Sequence, residues 1–225
     1  MGKRRALFFI GLGVIGVSVA LAFTALPVYG AVTGALLGLL LVFIGAFESG
    51  EVLVGRMVLI ATLAALASVG RILFGGMPSG VQPASFVIIT AGMAAGPMAG
   101  MMTGAVTAFG SNLILGQGPW TVFQMLLWAL MGLSAGAGRK LLGRYRPLAV
   151  LFGVAWGFLF GWGMNLWDML FFAEEGGFIG LFLVKAAASL PSDLAHGLSN
   201  GGLLAVCGGL LLRGIGRVAK KYGLE

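Results

Sequence analysis

Polar and aromatic side chains interrupt this apolar sequence at three places, and their types fit the binding of a small solute. Residues 116–125 read GQGPWTVFQM and bring amides, an indole and a hydroxyl together. If a helix begins near Trp120, Thr121 and Gln124 lie about one turn apart. Aromatic rings stack on a planar solute, and amides hydrogen-bond its edge. The stretch therefore predicts a site for a neutral, ring-containing solute, with contacts from Gln117, Trp120, Thr121 and Gln124.

Two further stretches carry groups of the same kind. The turn-rich GGMPSGVQP at 75–83 holds Gln82, and WGMNLWDMLFFAEEGG at 162–177 holds an amide, a carboxylate and two indoles. We expect these stretches to add Gln82, Trp162, Asn165 and Asp168 to the same site. The tryptophans also fit the aromatic belt of a membrane interface, and the pair Glu174 and Glu175 also fits a solvated loop.

The stretch SLPSDLAHGLSN at 189–200 places Asp193, His196 and Asn200 on one helix face, because they are spaced by three and four residues. Ionisable groups at membrane depth usually face a cavity or a partner. His196 and Asn200 are therefore candidate substrate ligands. Pairing of Asp193 and His196 with each other or with Lys185 is the structural alternative.

The same stretch also allows an enzymatic interpretation. Ser192 or Ser199, together with His196 and Asp193, has the residue types of a hydrolase relay. Side chains on one helix are badly placed for a nucleophile, a base, an orienting group and an oxyanion hole. An intramembrane hydrolase is thus an alternative, and no catalytic residue is assigned.

Composition and spacing of the polar breaks predict an all-α integral membrane protein. Hydrophobic residues make up 59% of the chain and charged residues 9%, with a mean hydropathy of +1.04. Apolar stretches of about 20 residues match a helix that crosses the hydrocarbon core, which is roughly 30 Å thick. About eight transmembrane helices are expected, at 6–25, 31–47, 53–74, 84–95, 98–115, 121–138, 147–170 and 179–212. We expect the last to bend at Pro191, since proline interrupts a helix.

Basic residues lie at the ends of the apolar segments, so the net charge of +7 reports topology and does not indicate nucleic-acid binding. With a cytoplasmic N-terminus, the inner face holds most of them: Lys3, Arg4, Arg5, Arg56, Arg139, Lys140, Arg144, Arg146, Arg213, Arg217, Lys220 and Lys221. Arg71 and Lys185 remain toward the outside. Both termini are then cytoplasmic, and the connections at 75–83, 116–120 and 171–178 face outward.

Several functions are disfavoured by the sequence. The lone Cys207 lies in an apolar run, which argues for packing and against redox or thiolate–metal chemistry. GLGVIG at 11–16 has the spacing of a dinucleotide motif but lies inside an apolar helix, and no phosphate-binding Walker sequence occurs. No cofactor or metal is expected. The N-terminus resembles a signal peptide, but its apolar run to Leu26 is long enough to predict a retained helix.

Small residues recur at helical spacing on three segments. Faces of small residues let helices approach closely in lipid. The three faces consist of Gly153, Gly157 and Gly161; Gly92, Gly96, Gly100 and Gly104; and Ala61, Ala64, Ala65 and Ser68. Because Gly96-Pro97 predicts a turn, the second set forms two half faces. Internal packing and docking of another membrane subunit are the alternatives for each face.

From about Arg56 to Arg217 the sequence resembles the substrate-binding S components of energy-coupling factor (ECF) vitamin transporters. The resemblance rests on IATLAALASVGRILF, on MPSGVQP followed by the segment through SNLILGQGPWTVFQM, and on LPSDLAHGLSN. It implies six core helices, here in residues 51–225, preceded by an extra two-helix hairpin in residues 1–50. It also implies a site open to the outside that the three outer connections close.

The same resemblance implies partners and a location. An S component docks on a transmembrane T component that carries two cytoplasmic ATPases, and Ala61 and Ala65 would be the docking pair. The protein would be a non-enzymatic subunit in the cell membrane of a bacterium or archaeon. The GQGPWT pattern is similar to members assigned to dimethylbenzimidazole, its riboside or corrinoids. Metal uptake is disfavoured, because Gly2 stands where the nickel and cobalt branch has histidine. A self-sufficient secondary carrier is a further alternative.

Overall fold

The computed structural model describes residues 3–22, 34, 37–38, 41–42, 45, 54–75, 80–118, 120–172 and 178–223, and their regular structure is α-helical. The chain divides into two compact units, Met1–Leu53 and Val54–Glu225. The predicted connections at 75–83, 116–120 and 171–178 fall partly outside the described residues. Glu174 and Glu175 fall wholly outside them.

In the first unit, helix α1 (Lys3–Ala22) packs on the helical residues among 34–45. A Cβ added at Gly11 would meet the carbonyl oxygen of Gly38, and one at Gly38 would meet that of Gly11. Farther along α1, the hydroxyl of Ser18 occupies the space beside Gly34. The first glycine of GLGVIG therefore serves a close helix crossing.

The second unit contains the remaining described helices. They are α2 (Val54–Gly75), α3 (Pro83–Ala95), α4 (Pro97–Leu115), α5 (Trp120–Ala137), α6 (Arg139–Arg144), α7 (Arg146–Phe172), α8 (Phe178–Val206) and α9 (Gly208–Lys221). Helices α2 to α5 and α7 begin and end within two residues of the predicted segments. The short α6 was not predicted, because six residues are too few to give a hydrophobic period.

The last predicted segment, 179–212, is not one straight helix. Helix α8 continues through Pro191 to Val206, and α9 leaves it at 65° beyond Cys207. On α9, Ile215 and Ala219 are buried while Arg213 and Arg217 are exposed. Beyond the break, the last helix thus buries an apolar face and keeps its basic face accessible.

Among the described residues, four helices are long and apolar enough to cross a membrane: α2, α4, α5 and residues 146–169 of α7. The bent pair α8 and α9 passes the same test together, and α3 and residues 9–18 of α1 are shorter apolar helices. Many large apolar side chains on these helices are exposed, for example Leu73, Leu113 and Leu151. Exposed apolar side chains on long helices are suited to contact with lipid.

Helix α3 forms the centre of the second unit. It has 13 residues, about 20 Å at 1.5 Å per residue, and every residue from Ala84 to Met93 is buried. It packs against α2, α4, α5 and the later helices, so it presents apolar surface on all sides. Gly96, with φ of +93°, turns the chain directly into α4, because glycine adopts this backbone conformation without strain.

Glycines place neighbouring backbones in contact at two crossings. A Cβ at Gly100 or Gly104 of α4 would overlap the backbone of Gly132 or of Trp128 on α5. A Cβ at Gly157 of α7 would likewise overlap the backbone of Gly197 on α8. Both glycine runs therefore pack inside the protein. On the third small-residue face Ala64 is buried, whereas Ala61 and Ala65 are exposed.

The antiparallel helices give the second unit two chemically different ends. At one end α2, α4 and α7 finish and α3, α5 and α8 begin; we call it the polar-loop end. At the other lie the α3–α4 turn, α6 and the start of α7. The second end is rich in exposed cations, among them Arg139, Lys140, Arg144 and Arg146, and we call it the basic end.

We predict that Gly132→Ala lowers the free energy of unfolding by about 1–3 kcal/mol or more, because the new methyl group overlaps the backbone of Gly100. Gly202→Ala is the matched control, since its Cβ would meet nothing within 4 Å. Alanine there should leave stability unchanged or raise it by up to about 1 kcal/mol. Thermal unfolding of both variants in detergent checks this. Equal melting temperatures would contradict the close crossing.

Candidate polar site of the helical bundle

A buried cation organises the polar groups near the polar-loop end. Arg71 lies in the last turns of α2 and is only 9% exposed. One terminal nitrogen, Nη1, donates to Ser111 Oγ at 2.6 Å and to Asn112 Oδ1 at 2.5 Å, both at the end of α4. The other, Nη2, donates to Gln124 Oε1 on α5 at 3.2 Å. One guanidinium thus joins three helices.

The amide of Asn112 extends this network toward the start of α5. Its nitrogen donates to Thr121 Oγ1 and to Gln124 Oε1, each at 2.8 Å. Thr121 Oγ1 also accepts a hydrogen bond from the backbone nitrogen of Gly118 at 3.3 Å. Asn112 and Thr121 are buried, whereas Gln124 is half-buried. Gln124 is therefore the member of this group with the most access from the polar-loop end.

The network continues through an aromatic side chain into the centre of the unit. The guanidinium carbon of Arg71 lies 4.9 Å from the ring centroid of Trp128, a distance at which the cation is attracted to the ring face. Trp128 Nε1 donates to Ser85 Oγ at 3.1 Å, and Ser85 Oγ lies 2.8 Å from His196 Nε2. Phe160 stacks on Trp128, with ring centroids 5.1 Å apart.

A second polar cluster joins α7 to α8. Lys185 forms an ion pair with Asp168, and Asn165 Nδ2 donates to Ser189 Oγ at 2.8 Å. Ser189 Oγ in turn donates to Asp193 Oδ2 at 2.8 Å. Both clusters lie toward the polar-loop end.

The residues predicted to bind a solute separate into four groups. Thr121, Gln124 and His196 belong to the Arg71 network, and Asn165 and Asp168 belong to the second cluster. Gln117, Trp120 and Trp162 are exposed, and the Trp120 ring lies over Gly118. Gln82 and Asn200 each have a buried side-chain oxygen without a hydrogen-bond partner.

Asn200 lies apart from the polar-loop groups. It is fully buried, and its Nδ2 donates to the backbone oxygen of Gly153 at 3.2 Å. Gln82 stands at the start of α3, where its backbone nitrogen donates to Ser199 Oγ at 3.3 Å. A buried oxygen without a donor is costly, so the Gln82 oxygen is suited to accept a hydrogen bond from a bound molecule.

Asp193 and His196 bond to different partners, Ser189 and Ser85. The structural alternative in which these two residues pair with each other is not found among the hydrogen bonds of the described residues. Ser192 and Ser199 donate to the backbone oxygens of Ser189 and His196. Neither serine hydroxyl is thus directed at the imidazole, and the arrangement does not favour a hydrolase.

Sequence analysis missed the centre of this arrangement. Arg71 was assigned only a topological role, although a lone cation within an apolar helix is itself a functional signal. The roles of Ser85, Ser111 and Asn112 depend on contacts between helices, which spacing within one helix does not reveal. In the part of the chain that the structure describes, no group of three or more His, Cys, Asp or Glu residues could hold a metal ion.

Comparison with known proteins gives one match. A family model described as "ECF transporter, substrate-specific component" matches residues 55–208, which is more than half of the chain. No curated protein and no solved structure matches at a significant level.

We predict that Asn112→Leu destabilises the protein, because a buried N–H of Arg71 loses its acceptor and Thr121 loses one of its two partners. A buried group left unsatisfied costs about 1–3 kcal/mol. Gln117→Leu is the control: it removes an amide that donates to Phe109 O at 3.0 Å but is exposed. Thermal unfolding in detergent compares them. A melting temperature for Asn112→Leu equal to that of Gln117→Leu would show that the network does not stabilise the fold.

Proposed function

The chain belongs to the family of ECF transporter substrate-specific components, and from this premise we propose that it captures a vitamin or vitamin precursor at the outer face of the cell membrane. Members of this family are transport subunits and not enzymes. The observation that best supports the proposal is the Arg71 network, because it places buried hydrogen-bonding groups below an end of the bundle lined with exposed aromatic side chains.

The orientation proposed is the one that the basic residues predict. Arg139, Lys140, Arg144 and Arg146 crowd the basic end, and positively charged residues favour the cytoplasmic side. The polar-loop end then faces outward in the cell membrane of a bacterium or archaeon, with both termini inside. A solute from the medium would meet Trp120 at the start of α5 first, and Gln124 one turn farther in.

We assign the predicted ligand residues to two roles. Exposed or half-buried groups at the polar-loop end would contact the solute directly: Gln82, Gln117, Trp120, Gln124 and Trp162. Buried groups would hold these in place through hydrogen bonds: Thr121, Asn165, Asp168, His196 and Asn200. The candidate solutes remain dimethylbenzimidazole, its riboside and corrinoids, since rings suit the exposed indoles.

Delivery to the cytoplasm would need partners. The sequence has no phosphate-binding Walker motif, and the family implies a T component with two ATPases. We propose that the T component docks on the face of α2 that carries Ala61 and Ala65. Their exposure supports this, because small exposed residues allow close approach of a second helix in lipid.

Thermal unfolding of the purified protein against a vitamin panel tests the binding function. The panel includes cobalamin, dimethylbenzimidazole, its riboside, riboflavin, thiamine and biotin. A ligand that binds only the folded state stabilises it by about 2.7 kcal/mol at one hundred times its dissociation constant. We expect one compound or close group to raise the melting temperature. No shift by any vitamin, in folded protein, would contradict the proposal.

We predict that Ala61→Phe/Ala65→Phe abolishes uptake by cells that express the T component and ATPases, while the purified variant keeps its ligand-induced thermal shift. Bulky rings would hold a docking helix away from α2. Ala155→Phe/Ala187→Phe is the control, because both alanines are exposed on other helices, α7 and α8. Normal uptake by the first variant would rule out this docking face.

A further inference from the structure

The charge of Arg71 needs an explanation that helix packing does not supply. The residue lies in a helix suited to cross a membrane and is 9% exposed. Burying a cation is costly even when its hydrogen bonds are satisfied, and apolar residues of similar size often stabilise a protein more. A neutral glutamine could donate hydrogen bonds to the neighbouring helices without the cost of burying a charge. Such locally unfavourable residues are expected at functional sites.

The groups around Arg71 are all neutral. It donates to a hydroxyl, to two amide oxygens, and lies against an indole ring. Among the described residues no carboxylate pairs with it; Asp168 pairs with Lys185, and Asp193 accepts from Ser189. The positive charge is therefore solvated by dipoles and is not neutralised by an anion of the described chain.

The guanidinium also has unused hydrogen-bonding capacity. Of its five N–H donors, three make the hydrogen bonds to Ser111, Asn112 and Gln124. Nε and one N–H of Nη2 make none with the described residues. Nε and Nη2 lie on the same edge of the guanidinium, and such an edge matches the two oxygens of a carboxylate or phosphate. Gln124, the half-buried partner of Nη2, connects this region to the polar-loop end.

We propose that the transported substrate carries an anionic group, a carboxylate or a phosphate, and that this group binds the guanidinium of Arg71 beside Gln124. The inference rests on the proposed substrate-binding function. It keeps the ring of the sequence-based expectation but replaces the neutral solute with an anionic one: the ring would lie against the exposed indoles and the anion would reach inward. Among the candidates, phosphorylated forms of the riboside fit better than the free base.

The test uses pairs of compounds that differ only in the anionic group. They are the riboside of dimethylbenzimidazole with and without its phosphate, biotin and biotin amide, nicotinate and nicotinamide, and pantothenate and pantothenol. Binding to the purified full-length protein is measured by thermal shift and calorimetry. We expect the binding pair to prefer the anionic member by on the order of 10- to 100-fold, the range of a hydrogen bond to a charged group.

Three variants assign that preference to one residue. Arg71→Gln should remove the preference for the anionic compound. Arg71→Lys should keep part of it, because lysine retains the positive charge but not the planar set of N–H donors. Arg139→Gln is the matched control, since it removes an exposed cation at the basic end and should change nothing. The thermal scans also show whether each variant folds.

A probe that needs no knowledge of the substrate completes the test. Sodium phosphate and sodium acetate are titrated against sodium chloride at constant ionic strength, and the melting temperature of the free protein is recorded. We expect phosphate or acetate to stabilise the wild type and Arg139→Gln, but not Arg71→Gln. The absence of this response in the wild type would overturn the proposal.

Two further outcomes would overturn the inference and leave the binding function intact. One is equal or tighter binding of the neutral member of a pair. The other is a phosphate response that appears only in Glu174→Gln/Glu175→Gln, which would mean that a carboxylate of the chain itself neutralises Arg71. Binding of no compound at all, combined with a normal phosphate response, would contradict the proposed vitamin substrates but support an anion site at Arg71.

Discussion

The absence of water inside a bilayer is the constraint on which this structure depends. Each polar group within the hydrocarbon must find its partner in the protein, and the buried guanidinium of Arg71 has a large requirement because it carries five N–H donors. Its demand for oxygen acceptors fixes the end of α4 against the end of α2, through Ser111 and Asn112. Asn112 then fixes the start of α5 by bonding Thr121 and Gln124. The arrangement of α2, α4 and α5 at the polar-loop end follows from satisfying one cation.

That network requires α4 and α5 to pack closely, and glycines at their crossing allow this. Gly104 lets α4 touch the backbone of α5 at Trp128. Asn112 lies about two turns beyond Gly104, and Thr121 about two turns before Trp128, so the antiparallel helices bring the amide and the hydroxyl together at 2.8 Å. A larger residue at the crossing would separate the backbones, and short polar side chains would no longer reach one another. The hydrogen bonds of the polar network therefore depend on the close packing of α4 against α5.

The helices could be predicted because their signal is local. Apolar runs bounded by glycine, proline and charged residues located α2 to α5 and α7 to within two residues.

The candidate site could be predicted only in part. The membership of Thr121 and Gln124 in one polar group was predictable because they share a turn of α5. Ser85 and Asn112 carry no local signal and become important only when α3, α4 and α5 meet. Arg71 had a local signal, a lone cation within an apolar helix. It was used only to predict topology, so its burial was not predicted. The break at Cys207 was missed because hydropathy stays high through Leu212 while the basic period begins only at Arg213.

Helix α2 brings the proposed docking face and the proposed anion site into one rigid element, and helix geometry keeps them apart. Arg71 lies six residues beyond Ala65, about 9 Å along the axis at 1.5 Å per residue. At 3.6 residues per turn, those six residues also rotate the side chain by about a third of a turn away from the alanine face. This agrees with the burial of Arg71 and the exposure of Ala61 and Ala65.

Substitutions on one face of α2 therefore leave the contacts of the other face in place. Any tilt of α2 caused by a docked partner would act on both faces. A cation held only by neutral dipoles of α4 and α5 would respond to such a tilt through three hydrogen bonds at once, so α2 is the element through which docking and substrate binding would influence each other.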